Sequence, residues 1–129
     1  DPAKLFVTVF EGNENVPKDE ESIAIWQKLG IPSERIFALP IEDNWWGPAG
    51  DTGPCGPSTE MFYWVGAAEF PPEGSNPGTD KNNWLEIWND VFMQFLAKNS
   101  LNYSLVSWHT HEQFGVLHHA LQVKDPFLR

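Results

Sequence analysis

Apolar side chains recur along this chain with two different periods. Residues 4–10 (KLFVTVF) set Leu5, Val7 and Val9 against Phe6, Thr8 and Phe10, which predicts a strand covered on both faces and central in its sheet. A loop carrying Gly12, Asn13, Asn15 and Pro17 follows. Residues 19–29 then predict a short helix with Ile23, Trp26 and Leu29 on one side and Gly30 as its stop. Residues 31–33 turn the chain into a second strand at 35–39. Over residues 84–96, Leu85, Ile87, Asn89, Val91, Met93 and Phe95 share one face at a period of two, which predicts one long strand and places Asn89 in an apolar row. Residues 58–65 and 103–108 are further strand candidates. Residues 112–122 predict a closing helix through Phe114, Leu117, His118 and Leu121.

Between Gly47 and Gly78 the pattern breaks down. This stretch holds 13 of the chain's 21 Gly and Pro residues, which predicts a loop-dominated region interrupted only by residues 58–65. No internal repeat is visible. Strands outnumber helices, and neither a βαβ alternation nor a dinucleotide-type glycine pattern is apparent. The expected class is therefore α+β, an antiparallel β-sheet with flanking helices.

Composition narrows the setting. The 129 residues suffice for one domain, or part of one, and 41% apolar residues with seven Trp exclude a disordered segment. A net charge of −10 argues against this surface as the main dock for a polyanion, so an RNA substrate would be held by other parts of the protein and no DNA partner is expected. Acidic residues gather at Glu11, Glu14 and residues 19–21, read as a solvated loop and helix start. The single cysteine, Cys55, cannot form an internal disulfide, and no apolar run approaches the roughly 18 residues of a membrane span. A cytoplasmic protein with no membrane partner is expected. The opening Asp1-Pro2-Ala3, without a Met, suggests an excised or incomplete chain.

Two segments are candidates for chemistry. Residues 43–60 (DNWWGPAGDTGPCGPSTE) combine fixed proline φ angles with glycine freedom, so they can hold amides and carbonyls in one irregular shape against a ligand; a rigid surface loop packed by Trp45 and Trp46 is the alternative. Glu86 and Asn89 lie in a largely apolar strand and need partners, because an unpaired buried polar group costs roughly 1–3 kcal/mol. A ligand ammonium, hydroxyl or metal would serve, as would backbone or water. His109, His111, His118 and His119 do not make a convincing metal set, since His118 and His119 are adjacent and no second cysteine assists. Cys55 has no base near it in sequence, and the aromatics lack the interleaved Lys and Arg of a nucleic-acid platform.

The same segments resemble the alanyl-tRNA synthetase family. That family carries a tryptophan in a DN-x-W segment, then GDTGPCGP followed by S/T-E, then EIWN-x-VFMQ after a variable polar loop. This chain has Asp43-Asn44-Trp45-Trp46, then residues 50–60, then residues 86–94 (EIWNDVFMQ), in the same order and at similar spacing. The resemblance implies the C-terminal half of a class II synthetase catalytic domain, with residues 1–129 as part of one domain. It further implies a parent enzyme that activates alanine with ATP and Mg²⁺ and esterifies tRNA(Ala). By position, Trp46 would wall the alanine pocket and Asn89 would hydrogen-bond the amino acid, while Glu60 and Glu86 would make polar contacts around ATP or Mg²⁺.

Three departures accompany the resemblance. Counterparts of the family's first two class-defining motifs would lie before Asp1. The third motif, DTGMGLER, falls on residues 109–116 (HTHEQFGV) and keeps only Thr110. Its aspartate, which would pair with the alanine ammonium, becomes His109, and its ATP-clamping arginine becomes Val116, a replacement that removes the phosphate fork. Trp64 stands where aspartate is commoner. A catalytic-domain fragment and a non-catalytic synthetase-like binding module are both compatible with this pattern.

Overall fold

The computed structural model describes residues 1–48, 50–99, 102–105 and 120–122. Strand β1 (Leu5–Phe10) has its last five residues buried, as its two apolar faces require. The chain then leaves the sheet through a turn closed by Val16 and enters helix α1 (Glu20–Lys28). Asp19 caps this helix, its carboxylate accepting from the Ser22 amide at 2.9 Å and from the Ser22 hydroxyl at 2.6 Å. Leu29 closes it and Gly30 turns away at φ 97°, the left-handed conformation a glycine tolerates. Ile23 and Trp26 are half-buried, whereas Leu29 is 69% exposed because the helix has already ended.

Strand β2 (Ile36–Leu39) pairs parallel with β1, Val7 opposite Ile36 through Phe10 opposite Leu39. Thus β1, α1 and β2 form a βαβ unit that the hydrophobic pattern does not announce, since α1 is only nine residues and weakly amphipathic. The second strand begins at Ile36, Arg35 ending a short 3₁₀ turn. A single turn of helix, α2 (Ile41–Asn44), and a two-residue strand, β3 (Trp45–Trp46), lead into the long strand β4 (Gly53–Trp64).

Strand β4 extends through the Gly/Pro-rich segment expected to be loop. Its first half pairs with short, separate partners: Gly56 and Pro57 with β3, and Gly53 to Cys55 with β6 (Phe95–Asn99). Pro57 gives no amide but its carbonyl accepts from the Phe92 amide at 2.9 Å. At Gly56 a side chain is impossible, for a Cβ there would lie 1.7 Å from the Phe92 carbonyl oxygen.

The predicted long strand at 84–96 is two strands, β5 (Trp84–Val91) and β6, which run along β4 in the same direction, both antiparallel to it, and are separated by a break at residues 92–94 in which the Gln94 amide donates to the Phe92 carbonyl at 2.7 Å. Strand β5 is also bulged: Met61 faces Trp88 and Phe62 faces Glu86, leaving Ile87 as the extra residue. The bulge breaks the period of two. Leu85 and Ile87 stay 47% and 43% exposed, while Trp84, Asn89 and Val91 are buried.

Strand β7 (Asn102–Leu105) pairs with β6, and β8 (Ala120–Gln122) pairs with residues 89–91 of β5. Those last three residues therefore form a strand instead of the end of the expected closing helix. The remainder of that helix, His109, and residues 106–108 of the expected strand lie outside the described residues. Among the described residues the main sheet runs β2-β1-β4-β5-β8, antiparallel except for β1 with β2. The fold is α+β, a mostly antiparallel sheet with flanking helices, as the strand-rich pattern implies.

Candidate functional site

Register places a set of polar side chains on one face of the sheet. Opposite neighbours are Phe6 and Phe62, Thr8 and Glu60, Glu60 and Asn89, Phe62 and Glu86, and Trp64 and Trp84. Cross-strand neighbours share a face, so the Ile87 bulge brings Glu86 and Asn89 to the same side although they are three residues apart. Without the bulge they would point apart.

At one end of this face is an aromatic cluster of Phe6, Trp64 and Trp84, with Phe37 and Phe62 packed against it. The Trp84 ring meets Phe6 edge-on at 4.9 Å and Trp64 at 5.1 Å. The Trp64 indole donates to the Ala68 carbonyl at 2.8 Å. Gly66 sits against that ring, its Cβ position only 2.1 Å from Trp64.

Beyond the cluster the face turns polar and buried. Asn89 is 2% exposed and its Nδ2 donates to Glu60 Oε1 at 2.8 Å; the Ser58 hydroxyl donates to the same oxygen at 3.1 Å. Asn89 Oδ1 is buried and has no hydrogen-bond partner among the described residues. Asn44, fully buried, donates from Nδ2 to Thr8 Oγ1 and to the Ser58 carbonyl, both at 2.9 Å. These two bonds lash α2 to β1 and β4 and so fix the entry of β3.

A cavity of about 160 Å³ opens over this region. Thr8, Glu60, Phe62, Trp84 and Glu86 of the sheet line it, facing Glu42, Asp43 and Asn44 of α2. Pro77 and Lys81 reach it from the connection between β4 and β5. Its size suits a small ligand or one portion of a larger one, and its lining is dominated by carboxylates. A larger hollow of about 460 Å³, between residues 32–37 and 70–75, is lined by Phe6, Phe37, Phe70, Pro71 and Pro72. There the Arg35 guanidinium already donates to the carbonyl of Pro2 at 2.7 Å, so little convergent chemistry is left for a ligand.

The structure thus joins three of the residues singled out in the sequence. Glu60 and Glu86 line the cavity, and Asn89, outside its lining, is hydrogen-bonded to Glu60 from the neighbouring strand. Trp46 is half-buried beside Gly56 in β3 and does not line this cavity, while His109 is outside the described residues. Asn44 and Thr8 were missed as contributors, and only their burial reveals them. Cys55 is buried and burial pushes its thiol above the ordinary value of 9.0, partly offset by a hydrogen bond with the Ala97 backbone, which disfavours the nucleophilic thiolate. Among the described residues no three His, Cys, Asp or Glu side chains converge as a metal cage, and no helix is long and apolar enough to cross a membrane.

A mostly antiparallel sheet flanked by helices is consistent with a class II synthetase-like core. The profile of the family described as tRNA synthetases class II (A) matches residues 1–119, and the chain belongs to that family. Its relatives include the alanine–tRNA ligase of Treponema denticola, 56% identical over 103 residues, covering 78% of this chain and 17% of that protein. The alanine–tRNA ligase of Treponema pallidum is 54% identical over 96 residues, covering 73% and 15%. That of Rubrobacter xylanophilus is 46% identical over 102 residues, covering 73% and 12%. The chain is a class II synthetase catalytic-domain sequence homologous to alanine–tRNA ligases, and it spans about a sixth or less of the length of these curated relatives.

Proposed function

We propose that this chain forms part of the aminoacylation site of an alanine–tRNA ligase, acting in the cytoplasm, in which it helps bind alanine and ATP before transfer to tRNA(Ala). The observation that carries this reading is the buried Ser58–Glu60–Asn89 row, which holds a carboxamide in a fixed orientation on the sheet face next to a carboxylate-lined cavity. Asn89 Oδ1, buried and without a partner among the described residues, is an acceptor for the amino acid's ammonium. Trp46 is assigned to the wall of the alanine pocket and His109 to the position of the family's ammonium-pairing aspartate, both by resemblance alone.

Adenylation asks little of a protein base. The alanine carboxylate attacks the α-phosphate, so rate comes from holding the two substrates in line and from neutralising phosphate charge. Glu60 and Glu86 offer the donor set Mg²⁺ favours, one or two carboxylates with phosphate oxygens and water completing the shell. When bound, the ion supplies charge neutralisation of the triphosphate. The chain's own part is orientation: Asn44 fixes α2 and the start of β3, Ser58 and Asn89 fix Glu60, and the aromatic cluster fixes the strands beneath.

Calorimetry of the intact protein with a non-hydrolysable alanyl-adenylate analogue tests the reading, with binding in the wild type and at least tenfold weaker binding in Asn89→Ala expected. The replacements at His109 and Val116 favour a second reading, a non-catalytic binding module of the same fold. Binding of the analogue without any adenylation activity would select it.

A further inference from the structure

We propose that Lys81 is a phosphate-contacting residue of the cavity, parked on Asp43 and transferred to the triphosphate of a bound nucleotide. The inference deepens the reading above and rests on the cavity being the nucleotide side of that site.

Charge is the first argument. Glu42, Asp43, Glu60 and Glu86 line the cavity, and Lys81 is the only Lys or Arg that does so among the described residues. A polyanion entering a ring of carboxylates needs compensating cations at close range. Glu60 and Glu86 can recruit a divalent ion, but the ammonium of Lys81 is the cation the chain itself brings to the cavity.

Mobility is the second. Lys81 Nζ lies 3.1 Å from Asp43 Oδ1, yet the two partners differ in freedom: the Lys81 side chain is 65% exposed and that of Asp43 19%. Asp43 is held in α2, its amide donating to the Pro40 carbonyl at 3.1 Å, and Gly78 presses against its carboxylate so closely that a Cβ would lie 2.8 Å from Oδ2. The chain on either side of Lys81 is also held by hydrogen bonds. Asn76 Oδ1 accepts from the amides of Gly78 at 2.9 Å and Thr79 at 3.1 Å, Asn83 Nδ2 donates to both oxygens of Asp80 at 3.0 Å, and Trp84 Nε1 donates to Ser75 Oγ at 3.1 Å. Only the four-carbon stem is free to swing. The ammonium end of this pair is exposed and able to change partner, and a phosphate group offers it several charged acceptor oxygens.

A purely structural latch would make Asp43 and Lys81 equivalent, whereas a parked cation makes them opposite. The test is calorimetry of MgATP with the intact wild-type protein and with Lys81→Met, Lys81→Arg and Asp43→Asn, each checked for an unchanged unfolding midpoint. Lys81→Met is expected to weaken MgATP roughly tenfold, as for loss of a hydrogen bond to a charged group. Lys81→Arg should stay near wild type, and Asp43→Asn should bind MgATP as well as or more tightly than wild type. Parallel weakening in Asp43→Asn and Lys81→Met would overturn the proposal, as would wild-type affinity in Lys81→Met or no MgATP binding by the wild type. Should Lys81→Met fail to fold, weaker binding in Asp43→Asn alone overturns it, and retained or tighter binding supports it. Opposite responses to MgATP in a protein without alanine-dependent chemistry would sink the ligase reading and leave the role of Lys81 standing.

Discussion

Asn89 Nδ2 and Glu60 Oε1 are joined at 2.8 Å across β4 and β5, both residues at most 5% exposed. The bond lets a carboxylate stay buried on a sheet face, and Glu60 in turn orients the carboxamide. Replacing Asn89 by Leu removes the Asn89 donor to that oxygen and leaves the Ser58 hydroxyl. A loss of about 2 kcal/mol is expected, the range for a buried acceptor that loses a partner. Urea unfolding of the intact protein checks it, with Ser58→Ala and the double variant showing whether the two donors act together.

Gly56 provides a steric test. Its Cβ position lies 1.7 Å from the Phe92 carbonyl oxygen, which is backbone and cannot rotate aside. Gly56→Ala should therefore cost about 3 kcal/mol or more by overpacking and separate β4 from the break at residues 92–94 that links β5 to β6. A melting temperature within a degree of wild type would show that the close approach does not exist.

Helix α1 depends on its first residue. Asp19 accepts from both the amide and the hydroxyl of Ser22, and Asp19→Ala should cost about 1 kcal/mol. Faster amide exchange confined to α1 is the expected signature. Trp26 ties the same helix to the sheet, its indole donating to Thr59 Oγ1 at 2.8 Å, so Trp26→Phe should produce a loss of similar size.

Cys55 carries a pH prediction. Its folded thiol is raised above 9.0, so as pH rises past that value the unfolded chain releases its thiol proton while the folded one keeps it. Stability from this group is intact below about pH 8.5, the ordinary range of a thiol, and is lost progressively above it. Cys55→Ala should flatten that decline in a comparison of urea midpoints between pH 8 and 10. Slow alkylation at pH 8 in the native state should accompany it.

Local signals made part of this fold legible from the chain. The two apolar faces of β1 and the Gly30 stop are encoded within a few residues, and both are found in place. Pairing is encoded elsewhere. The parallel partner of β1 and the extension of β4 through Pro54 and Pro57 depend on strands far along the chain, so neither follows from periodicity. The Ile87 bulge is the most consequential case, because an uninterrupted period of two puts Glu86 and Asn89 on opposite faces whereas the register unites them. Glu86 and Asn89 are recognisable as polar residues within an apolar strand and Glu60 from the family resemblance alone. Asn44 falls within residues 43–46 of the resemblance but carries no role there, for its importance lies in reaching Thr8 and Ser58 at once.

The central claim is that the Glu60–Asn89 row serves alanine activation. Alanine-dependent ATP–pyrophosphate exchange by the intact protein tests it most directly, measured beside Asn89→Ala. The account predicts exchange above the alanine-free blank in the wild type, with the KM for alanine raised roughly tenfold or more in the variant, as for loss of a hydrogen bond to a charged group. A folded wild-type protein with no alanine-dependent exchange, or a variant with an unchanged KM, would contradict it.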